Sequence, residues 1–375
     1  MKIQRFYNIS DFLAENKVTV IYGPRQVGKT TLVRDFLEKY SEKYRFDTGD
    51  DIRVREILGS ESLEVLRQYA QGYNLLVIDE AQRIPKIGIG LKILVDHCPG
   101  LKVIVTGSSS FALSGQIGEP LTGRKFELHL FPIAQIELRK MFSSFDLSGQ
   151  LEEMLIYGAY PAIFDHELNL EARRQFLMDL TGSYLLKDIL ELENIKNSKV
   201  LLDLLRLLAF QVGNEVSLNE LAVQLGIDSK TVARYIDLFE KSFVIYSLRG
   251  YSRNLRKEIR KKQKYYFYDN GVRNAVISNF NPITLRDDIG ALWENFIVME
   301  RLKKRTYQQI WANNYFWRTW DRQEVDFLEE RDGKIFGFEM KYKKQQLTPP
   351  SQWMQNYPEA EFQIIHQKNY LDFIA

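Results

Sequence analysis

A loop with the spacing of a phosphate-binding site lies near the start of the chain. The segment from Gly23 to Thr30 reads GPRQVGKT and fits the pattern G-x-x-x-x-G-K-[ST]. In this pattern the backbone N–H groups surround phosphates, Lys29 reaches the β- and γ-phosphates, and the Thr30 hydroxyl binds Mg²⁺. The alternative is a glycine-rich turn with an incidental lysine. The predicted nucleotide-binding residues are Gly23, Pro24, Arg25, Gln26, Val27, Gly28, Lys29, Thr30 and Thr31.

An acidic pair ends a second apolar run of the sequence. The stretch LLVIDE places Asp79 and Glu80 directly after this run. Because the carboxyl ends of parallel strands meet at one edge of a sheet, we expect both carboxylates to lie beside the loop. Asp79 would hold Mg²⁺ through water, and Glu80 would polarise the attacking water. The alternative is an acidic pair that caps the following helix.

Two further residues are candidates for contact with the γ-phosphate. A third apolar run ends in a row of hydroxyls, of which Ser108 is the candidate, with simple helix capping as the alternative. Arg124 would stabilise charge in the transition state, either within its own chain or from a neighbouring subunit. A surface ion pair with Glu127 is the alternative for this arginine. The predicted catalytic set is therefore Lys29, Glu80, Ser108 and Arg124.

A second set of charged residues lies near the end of the chain. The stretches EVDFL and IFGFEMK alternate like strands and flank Asp332-Gly333, the favoured centre of a two-residue hairpin. With that centre, Asp326 faces Glu339 and Glu324 faces Lys341, all on one face of the hairpin. Opposed carboxylates repel each other unless a cation lies between them, so the pattern predicts a site for Mg²⁺ or Mn²⁺ that activates water.

This C-terminal prediction has two alternatives. In the first, Glu324 and Lys341 form a cross-strand ion pair while Asp326 is rotated away or protonated. In the second, a nuclease-like fold is retained only for binding. A longer loop at the hairpin would also break the predicted register.

The elements that position these residues follow from the apolar pattern. The run VTVIY before the loop and the helix with Leu32, Val33, Phe36 and Leu37 after it predict strand, loop and helix. Together with the runs from Leu75 and Leu101 they predict a parallel sheet, so the fold class is α/β. The predicted segments are an α/β core over 1–140, a helical subdomain over 141–210, a winged helix-turn-helix over 211–250 and a C-terminal domain over 251–375.

The winged helix-turn-helix is predicted from two short amphipathic helices around Gly226, followed by a strand-like run. Ser217 and Glu220 form a capping box for the first helix. The second helix exposes three basic and two acidic residues, which are Lys230, Arg234, Lys241, Asp237 and Glu240.

A basic segment with flanking aromatic residues follows, from Arg249 to Lys264. Its Lys and Arg side chains could neutralise several phosphates, so residues 217–264 predict salt-sensitive DNA contact. The alternative is a solvated surface or a linker.

Composition excludes several classes of protein. With 375 residues, 45% hydrophobic and 27% charged, the chain is an ordinary globular protein of more than one domain. The formal net charge of +2 means that DNA contact would need a local basic patch. One cysteine and four scattered histidines predict no disulfide and no zinc site. We expect a cytoplasmic protein with no membrane contact, since neither a signal peptide nor a spanning segment is evident.

The motifs GPRQVGKTT, LLVIDEAQ, VTGSSSFAL and LTGRKFELHLFPIA resemble the predicted AAA+ ATPases of archaea and bacteria that carry a C-terminal domain of unknown function. The stretches GAYPAIF, SYLLKDIL, EVDF and FEMK extend the resemblance over essentially the whole chain. It implies a P-loop AAA+ core, a helical part, a winged helix and a C-terminal α/β restriction-endonuclease-like domain similar to PD-(D/E)xK nucleases. It also implies that Glu294, from a neighbouring helix, joins Asp326, Glu339 and Lys341 in a nuclease site.

Together these features predict an Mg²⁺-dependent protein that binds and hydrolyses ATP and acts on DNA through its winged helix and nuclease-like domain. The alternative is a nucleotide-gated protein-interaction switch, with a protein partner and an inactive C-terminal domain. A role for Arg124 across subunits would require an oligomer, and the sequence leaves the number of subunits open.

Overall fold

The structure of the protein is a computed structural model that describes residues 3–108, 117–165, 167–185, 198–251, 263–319 and 321–375. Its contacts divide it into two units. The N-terminal unit comprises Arg5–Phe131 and Lys241–Phe243. The C-terminal unit comprises Pro132–Glu240, Val244–Ala375 and the first few residues of the chain. Residues 252–262, most of the predicted basic segment, lie outside the described residues.

A parallel sheet forms the centre of the N-terminal unit. In the described residues it has five strands, in the order β2-β3-β4-β1-β5. β1, β3 and β4 are apolar along most of their length because both faces of the sheet are covered. The predicted strands from Leu75 and Leu101 are confirmed. The strands are β1 (Val18–Tyr22), β2 (Tyr44–Thr48), β3 (Leu75–Asp79), β4 (Lys102–Gly107) and β5 (Lys125–His129).

Short helices connect these strands. The first begins at Lys29, so its N-terminus carries the predicted phosphate loop, and Asp51 and Ser62 cap the next two by accepting backbone N–H bonds. Their ranges are α1 (Lys29–Leu37), α2 (Ile52–Leu58), α3 (Leu63–Ala70) and α4 (Ile87–His97). In a parallel sheet of this kind the ends of β1, β3 and β4 meet at one edge, next to the start of α1.

The C-terminal unit is helical at first, which confirms the helical pattern predicted over 141–210. No helix within the described residues is long and apolar enough to cross a membrane. The helices are α5 (Gln135–Leu138), α6 (Ser144–Tyr157), α7 (Leu170–Asp179), α8 (Ser198–Phe210), α9 (Leu218–Leu225), α10 (Ser229–Lys241), α11 (Asn270–Val276), α12 (Ile289–Tyr307), α13 (Ser351–Asn356) and α14 (Tyr370–Ile374).

A mixed sheet of seven strands organises the rest of this unit, counted over the part of the chain that the structure describes. Its order is β12-β11-β10-β9-β7-β8-β6. β7 pairs antiparallel with β8 and parallel with β9, so strands predicted for separate domains over 211–250 and 251–375 share one sheet. The strands are β6 (Glu215–Val216), β7 (Ile245–Gly250), β8 (Gln263–Phe267), β9 (Asn313–Arg318), β10 (Glu324–Arg331), β11 (Lys334–Met340) and β12 (Glu361–Ile365).

The hairpin between β10 and β11 has the predicted turn. Asp332 and Gly333 have φ values of 50° and 73°, and both central residues of the favoured hairpin turn require a positive φ. The register from Arg331↔Lys334 to Phe327↔Phe338 is the one predicted from this centre. The predicted hairpin is therefore confirmed over these pairs.

A β-bulge interrupts β10 next to Asp326. Val325 pairs with Trp317 and Leu328 with Tyr315, so two residues of β10 stand opposite one residue of β9. Val325 and Leu328 both pack in the cluster around Trp353, although strict alternation would place them on opposite faces. Because a bulge adds twist and redirects side chains, it decides where the acidic side chains of β10 point.

Candidate functional site

The phosphate loop needs glycine at both motif positions. Gly28 has a φ of 93°, in the left-handed region that favours glycine, and it directly precedes α1. A Cβ atom on Gly23 would lie 2.0 Å from the carbonyl oxygen of Leu130. The two glycines therefore allow the turn of the loop and its close approach to the segment after β5.

Two cationic side chains hold the loop from within the N-terminal unit. The Lys29 ammonium is buried and donates to the carbonyl oxygens of Gly23 and Pro24, at 2.8 and 2.9 Å. The Arg5 guanidinium donates to the carbonyl oxygens of Val27 and of Phe131, the latter at 2.6 Å. Lys29 thus lies on the loop itself, where it can exchange carbonyl partners for phosphate oxygens.

Asp79 is the centre of the arrangement beside the loop. The Thr30 hydroxyl donates to Asp79 Oδ2 at 2.8 Å, and the Thr106 hydroxyl donates to Oδ1. Thr106 is fully buried and also accepts the backbone N–H of Glu80 at 3.3 Å. Ser108 is the predicted candidate from this row of hydroxyls, whereas Thr106 is the member whose hydroxyl contacts Asp79. A hydroxyl at the carboxyl end of the strand next to Asp79 was the feature that could have identified it.

Glu80 and Ser108 occupy the ends of their strands at the same edge of the sheet. Glu80 has a left-handed backbone, with φ 49° and ψ 41°, and its carboxylate accepts a hydrogen bond from the Gln82 amide. A non-glycine residue in this region is uncommon and often marks a functional site. Ser108 is buried directly after β4.

The structure does not bring Arg124 to the loop. The Arg124 carbonyl accepts the N–H of Val18, so Arg124 lies beside the start of β1. The phosphate loop follows the other end of β1, and the length of the strand separates the two by roughly 15 Å. Arg124 Nε pairs with Asp96 Oδ1 at 2.6 Å, while Glu127 pairs with Lys125. Arg124 therefore forms a surface ion pair, as the alternative had it, but with Asp96 and not with Glu127. The distance excludes a role for Arg124 at the loop of its own chain.

The loop residues fit a magnesium nucleotide. Backbone N–H groups at the start of α1 and the Lys29 ammonium suit phosphate oxygens, because both donate and carry positive charge. The Thr30 hydroxyl and the Asp79 carboxylate offer the oxygen ligands that Mg²⁺ prefers.

The four C-terminal candidates lie together in the structure. Lys341 Nζ is 2.7 Å from Glu339 Oε1 and 3.7 Å from Asp326 Oδ2. Asp326 Oδ2 also accepts the backbone N–H of Met340 at 2.8 Å. Glu294 on α12 joins them through its electrostatic interaction with Asp326.

Lys264 from β8 completes this group, which we call the carboxylate cluster: Lys264, Glu294, Glu324, Asp326, Glu339 and Lys341. Lys264 Nζ lies 3.2 Å from Glu294 Oε1 and 2.5 Å from Glu324 Oε1, and its side chain is 1% exposed. The sequence places Lys264 in the basic segment that is predicted to contact phosphates. That assignment is wrong, because the ammonium is buried and already paired with two carboxylates.

Burial and charge shift the pKa values in the carboxylate cluster. Burial raises the pKa of Glu294 to about 7, although Lys264 acts in the opposite direction. The Tyr266 hydroxyl donates to Glu294 at 2.7 Å. Burial opposes the charged form of Lys264, yet Glu294, Asp326 and Glu324 outweigh it and raise the pKa of the lysine. Burial, together with Asp326, raises the pKa of Glu339.

The cluster does not fit the predicted second metal ion. Across the described ranges, no three His, Cys, Asp or Glu side chains are arranged to hold one. Lys264 binds oxygens of Glu294 and Glu324, and the Met340 N–H binds one of Asp326. The residues of the nuclease prediction are therefore assembled, but around an ammonium group.

The helices α9 and α10 follow each other as predicted, with Gly226 between them. Lys230, Arg234 and Asp237 are exposed on α10, and Arg249 is exposed on β7. Glu240, predicted as exposed, is only partly so, and burial raises its pKa.

Three family profiles match consecutive parts of the chain. An AAA domain matches residues 15–139, a domain of unknown function (DUF8612) matches 148–282, and a second domain of unknown function (DUF4143) matches 289–361.

Relatives match most of the chain at low identity. An uncharacterized protein of Mycobacterium tuberculosis is 28% identical over 86% of this chain and 70% of its own length. One of Methanocaldococcus jannaschii is 26% identical over 84% of this chain and 73% of its own. A Walker-type ATPase of Pyrococcus abyssi aligns with 69% of this chain and 91% of its own, at 18% identity and a TM-score of 0.43. Since the AAA domain profile covers both the phosphate loop and Asp79, this part of the chain is an AAA-like P-loop ATPase domain.

Proposed function

We propose that the chain hydrolyses ATP with Mg²⁺ and that its nucleotide state controls DNA contact by the C-terminal unit. The observation that carries the proposal is the contact of the Thr30 hydroxyl with Asp79, directly beside the phosphate loop. This contact joins the two motifs that P-loop enzymes use for the nucleotide and its metal ion. When bound, ATP would supply the phosphates on which these residues act, and Mg²⁺ would offset part of their negative charge.

The residues of the site have distinct roles in this proposal. Lys29 transfers its donors from the carbonyls of Gly23 and Pro24 to phosphate oxygens. Glu80 orients and polarises the attacking water, and Gln82 holds its carboxylate in place. Thr106 fixes Asp79 by its hydroxyl and Glu80 by the backbone.

DNA contact is proposed for α10 as the second helix of a winged helix-turn-helix. The order α8, β6, α9, α10, β7, β8, with β6 and β7 both paired to β8, supports it. The exposed Lys230 and Arg234 on α10 and Arg249 on β7 supply positive charge for phosphates.

A second candidate function is a nucleotide-gated protein switch that cuts nothing. The neutralisation of the carboxylate cluster by Lys264 favours it over a nuclease. The acidic Asp228 and Asp237, exposed among the basic residues around α10, also favour a protein partner.

Steady-state ATP turnover with and without duplex DNA tests the proposal. Wild type should hydrolyse ATP faster with DNA, and Glu80→Gln should still bind ATP but lose turnover. Arg234→Ala should lose the stimulation by DNA while keeping basal turnover. Lys92→Ala, which removes an exposed lysine of α4, is the matched control and should behave as wild type.

Turnover that is indifferent to DNA, together with a protein that co-purifies only in one nucleotide state, would favour the switch. Full turnover in Glu80→Gln would contradict the assigned role of Glu80. If Arg124 acts across subunits, turnover per chain should rise with protein concentration, and Arg124→Ala should lose that rise.

A further inference from the structure

The side chain of Lys264 crosses the sheet of the C-terminal unit. It starts on β8, and its ammonium lies 5.4 Å from the ring centre of Phe316 on β9 and pairs with the carboxylate of Glu324 on β10. Strands β7 and β9 lie between β8 and β10 in the sheet. Lys264 therefore brings a positive charge from the β6–β8 side of the sheet into a group of carboxylates on the other side.

We propose that the Lys264 ammonium is the permanent cation of the carboxylate cluster, and that it takes the place a divalent metal ion would occupy. The wild-type chain then accepts no divalent cation at Glu294, Glu324, Asp326 and Glu339. This inference does not depend on the proposed ATPase or on DNA contact, since every residue in it belongs to the C-terminal unit.

Hydrogen bonding within the cluster supports this role. Glu294 Oε1 accepts from both the Tyr266 hydroxyl and Lys264, and Asp326 Oδ2 accepts from the Met340 N–H. Glu339 Oε1 is paired with Lys341. A divalent ion would have to displace these donors from Glu294 Oε1, Asp326 Oδ2 and Glu339 Oε1, which leaves it the buried Glu339 Oε2, an atom without a hydrogen-bond partner among the described residues.

Charge balance leads to the same conclusion. Four carboxylates face the ammonium groups of Lys264 and Lys341 and, at Glu324, the Arg318 guanidinium, whose Nε lies 3.8 Å from Oε2. The raised pKa of Glu294 lets a proton balance part of the remaining negative charge near neutral pH. A divalent ion would instead meet the buried ammonium at close range, and two cations repel strongly where water is excluded.

The carboxylates of the cluster are not arranged to hold a metal ion in their present positions, so removing the ammonium should create a metal site by letting them move together around a new cation. In Lys264→Met the side chain keeps much of its apolar length but loses its charge, so the opposed carboxylates repel each other until another cation binds. Their oxygens are the ligands that Mn²⁺ and Mg²⁺ prefer. Removing Lys264 frees Glu324 Oε1 and leaves Glu294 Oε1 with the Tyr266 hydroxyl as its remaining donor.

Mn²⁺ binding measured by calorimetry on the full chain without nucleotide tests the inference. Lys264→Met should bind about one Mn²⁺ per chain more than wild type. Asp326→Asn in that background should lose the extra ion, while the phosphate loop is the same in all variants. Lys343→Met, which removes an exposed lysine of the same unit, is the matched control and should gain no ion.

Wild type and Asp326→Asn should bind Mn²⁺ equally. Weaker binding by Asp326→Asn would overturn the inference, whatever the fate of Lys264→Met. If Lys264→Met unfolds without metal, Mn²⁺ should restore its thermal transition, because a ligand that binds only the folded state stabilises it. A folded Lys264→Met that binds no additional Mn²⁺ would equally overturn it.

Discussion

A single buried hydroxyl, that of Thr106, links the two acidic residues of the ATPase site. It donates to Asp79 and accepts the N–H of Glu80. Thr106→Val keeps the shape of the side chain but leaves a buried carboxylate oxygen and an N–H without this partner. We expect a loss of about 1–3 kcal/mol in the free energy of unfolding. We also expect turnover to fall about tenfold, as displacement of Asp79 and Glu80 worth about 1.4 kcal/mol would cause.

Thr19→Val is the matched control for this change. Thr19 is equally buried, in β1 of the same sheet, and its hydroxyl donates to the Phe12 carbonyl at 2.6 Å. Chemical denaturation should show a comparable loss of stability, but ATP turnover should stay near that of wild type. Equal turnover in the two variants would show that Thr106 does not position the acidic pair.

Glu294 should make the stability of the C-terminal unit depend on pH. Its pKa is raised by burial from 4.5 to about 7, so the folded protein keeps a proton that the unfolded chain releases. The resulting stabilisation is complete below the unfolded pKa and is lost as pH rises through the folded one. Glu294→Gln should remove up to about 3 kcal/mol of this pH dependence.

Tryptophan fluorescence is a selective probe for that measurement. All five tryptophans lie between residues 293 and 353, within the C-terminal unit. Urea unfolding of wild type and Glu294→Gln, compared at about pH 5 and about pH 8, isolates the contribution of this group. Glu361→Gln, an exposed change on β12, is the control and should keep the wild-type slope. The same slope in Glu294→Gln as in wild type would contradict the assignment.

For single residues, the sequence predicts only those roles that depend on neighbours along the chain. The loop residues from Gly23 to Thr31 and the pair Asp79 and Glu80 stand in recognisable motifs, because the chemistry fixes their spacing along the chain. Thr106 lies in the predicted row of hydroxyls that ends β4, but Lys264 acts only through contacts with residues distant in sequence. No periodicity or spacing of neighbours encodes such contacts, so the same basic run that contains Lys264 predicted an exposed lysine.

At the scale of secondary-structure elements, helix α6 has two glycines at which substitution by alanine should change stability in opposite directions. Gly158 ends the helix with a φ of 72°, and a Cβ there would lie 1.9 Å from Oδ1 of Asp269. Gly149 lies within the helix and a Cβ there would meet no atom within 4 Å. Gly158→Ala should destabilise the protein by more than about 3 kcal/mol. Gly149→Ala should stabilise it by about 0.5–1 kcal/mol, because alanine loses less backbone entropy.

Thermal unfolding of the two variants checks this prediction. Asp269 must stay in place, since it caps α11 through the Val272 N–H and accepts the Ala159 N–H. A melting temperature of Gly158→Ala equal to that of wild type would show that Asp269 can move without cost.

The hairpin β10–β11 contains one feature that the sequence predicts, its turn and register, and one that it does not, the β-bulge. Asp332-Gly333 determines the turn and the register over five pairs, because hairpin geometry is local. The bulge at Asp326 could not be predicted, since it depends on pairing with β9 and on packing of Val325 and Leu328 around Trp353.

At the scale of the whole molecule, a net charge of +2 gives almost no long-range attraction to DNA. Affinity should then depend on a few local contacts. Four exposed cations among the described residues of 217–264, which are Lys230, Arg234, Lys241 and Arg249, predict a slope of about −4 for log affinity against log salt. Arg234→Ala should reduce the magnitude of this slope by about 1. Fluorescence anisotropy across a salt series measures it, and a slope unchanged in Arg234→Ala would remove α10 from the interface.

The order of strands in the seven-stranded sheet has a consequence for synthesis on the ribosome. Read from β6 to β12, the order follows the chain except that β7 and β8 are exchanged. From β8 onward the sheet can therefore grow as the strands emerge, each pairing with a strand already made, whereas β7 must wait for β8. In the parallel sheet, by contrast, β1 lies between β4 and β5, so neither of its neighbouring strands has been synthesised when β1 emerges. During translation the edges of β1 stay unpaired until β4 and β5 have emerged, so we expect the first third of the chain to be the part that most needs a chaperone.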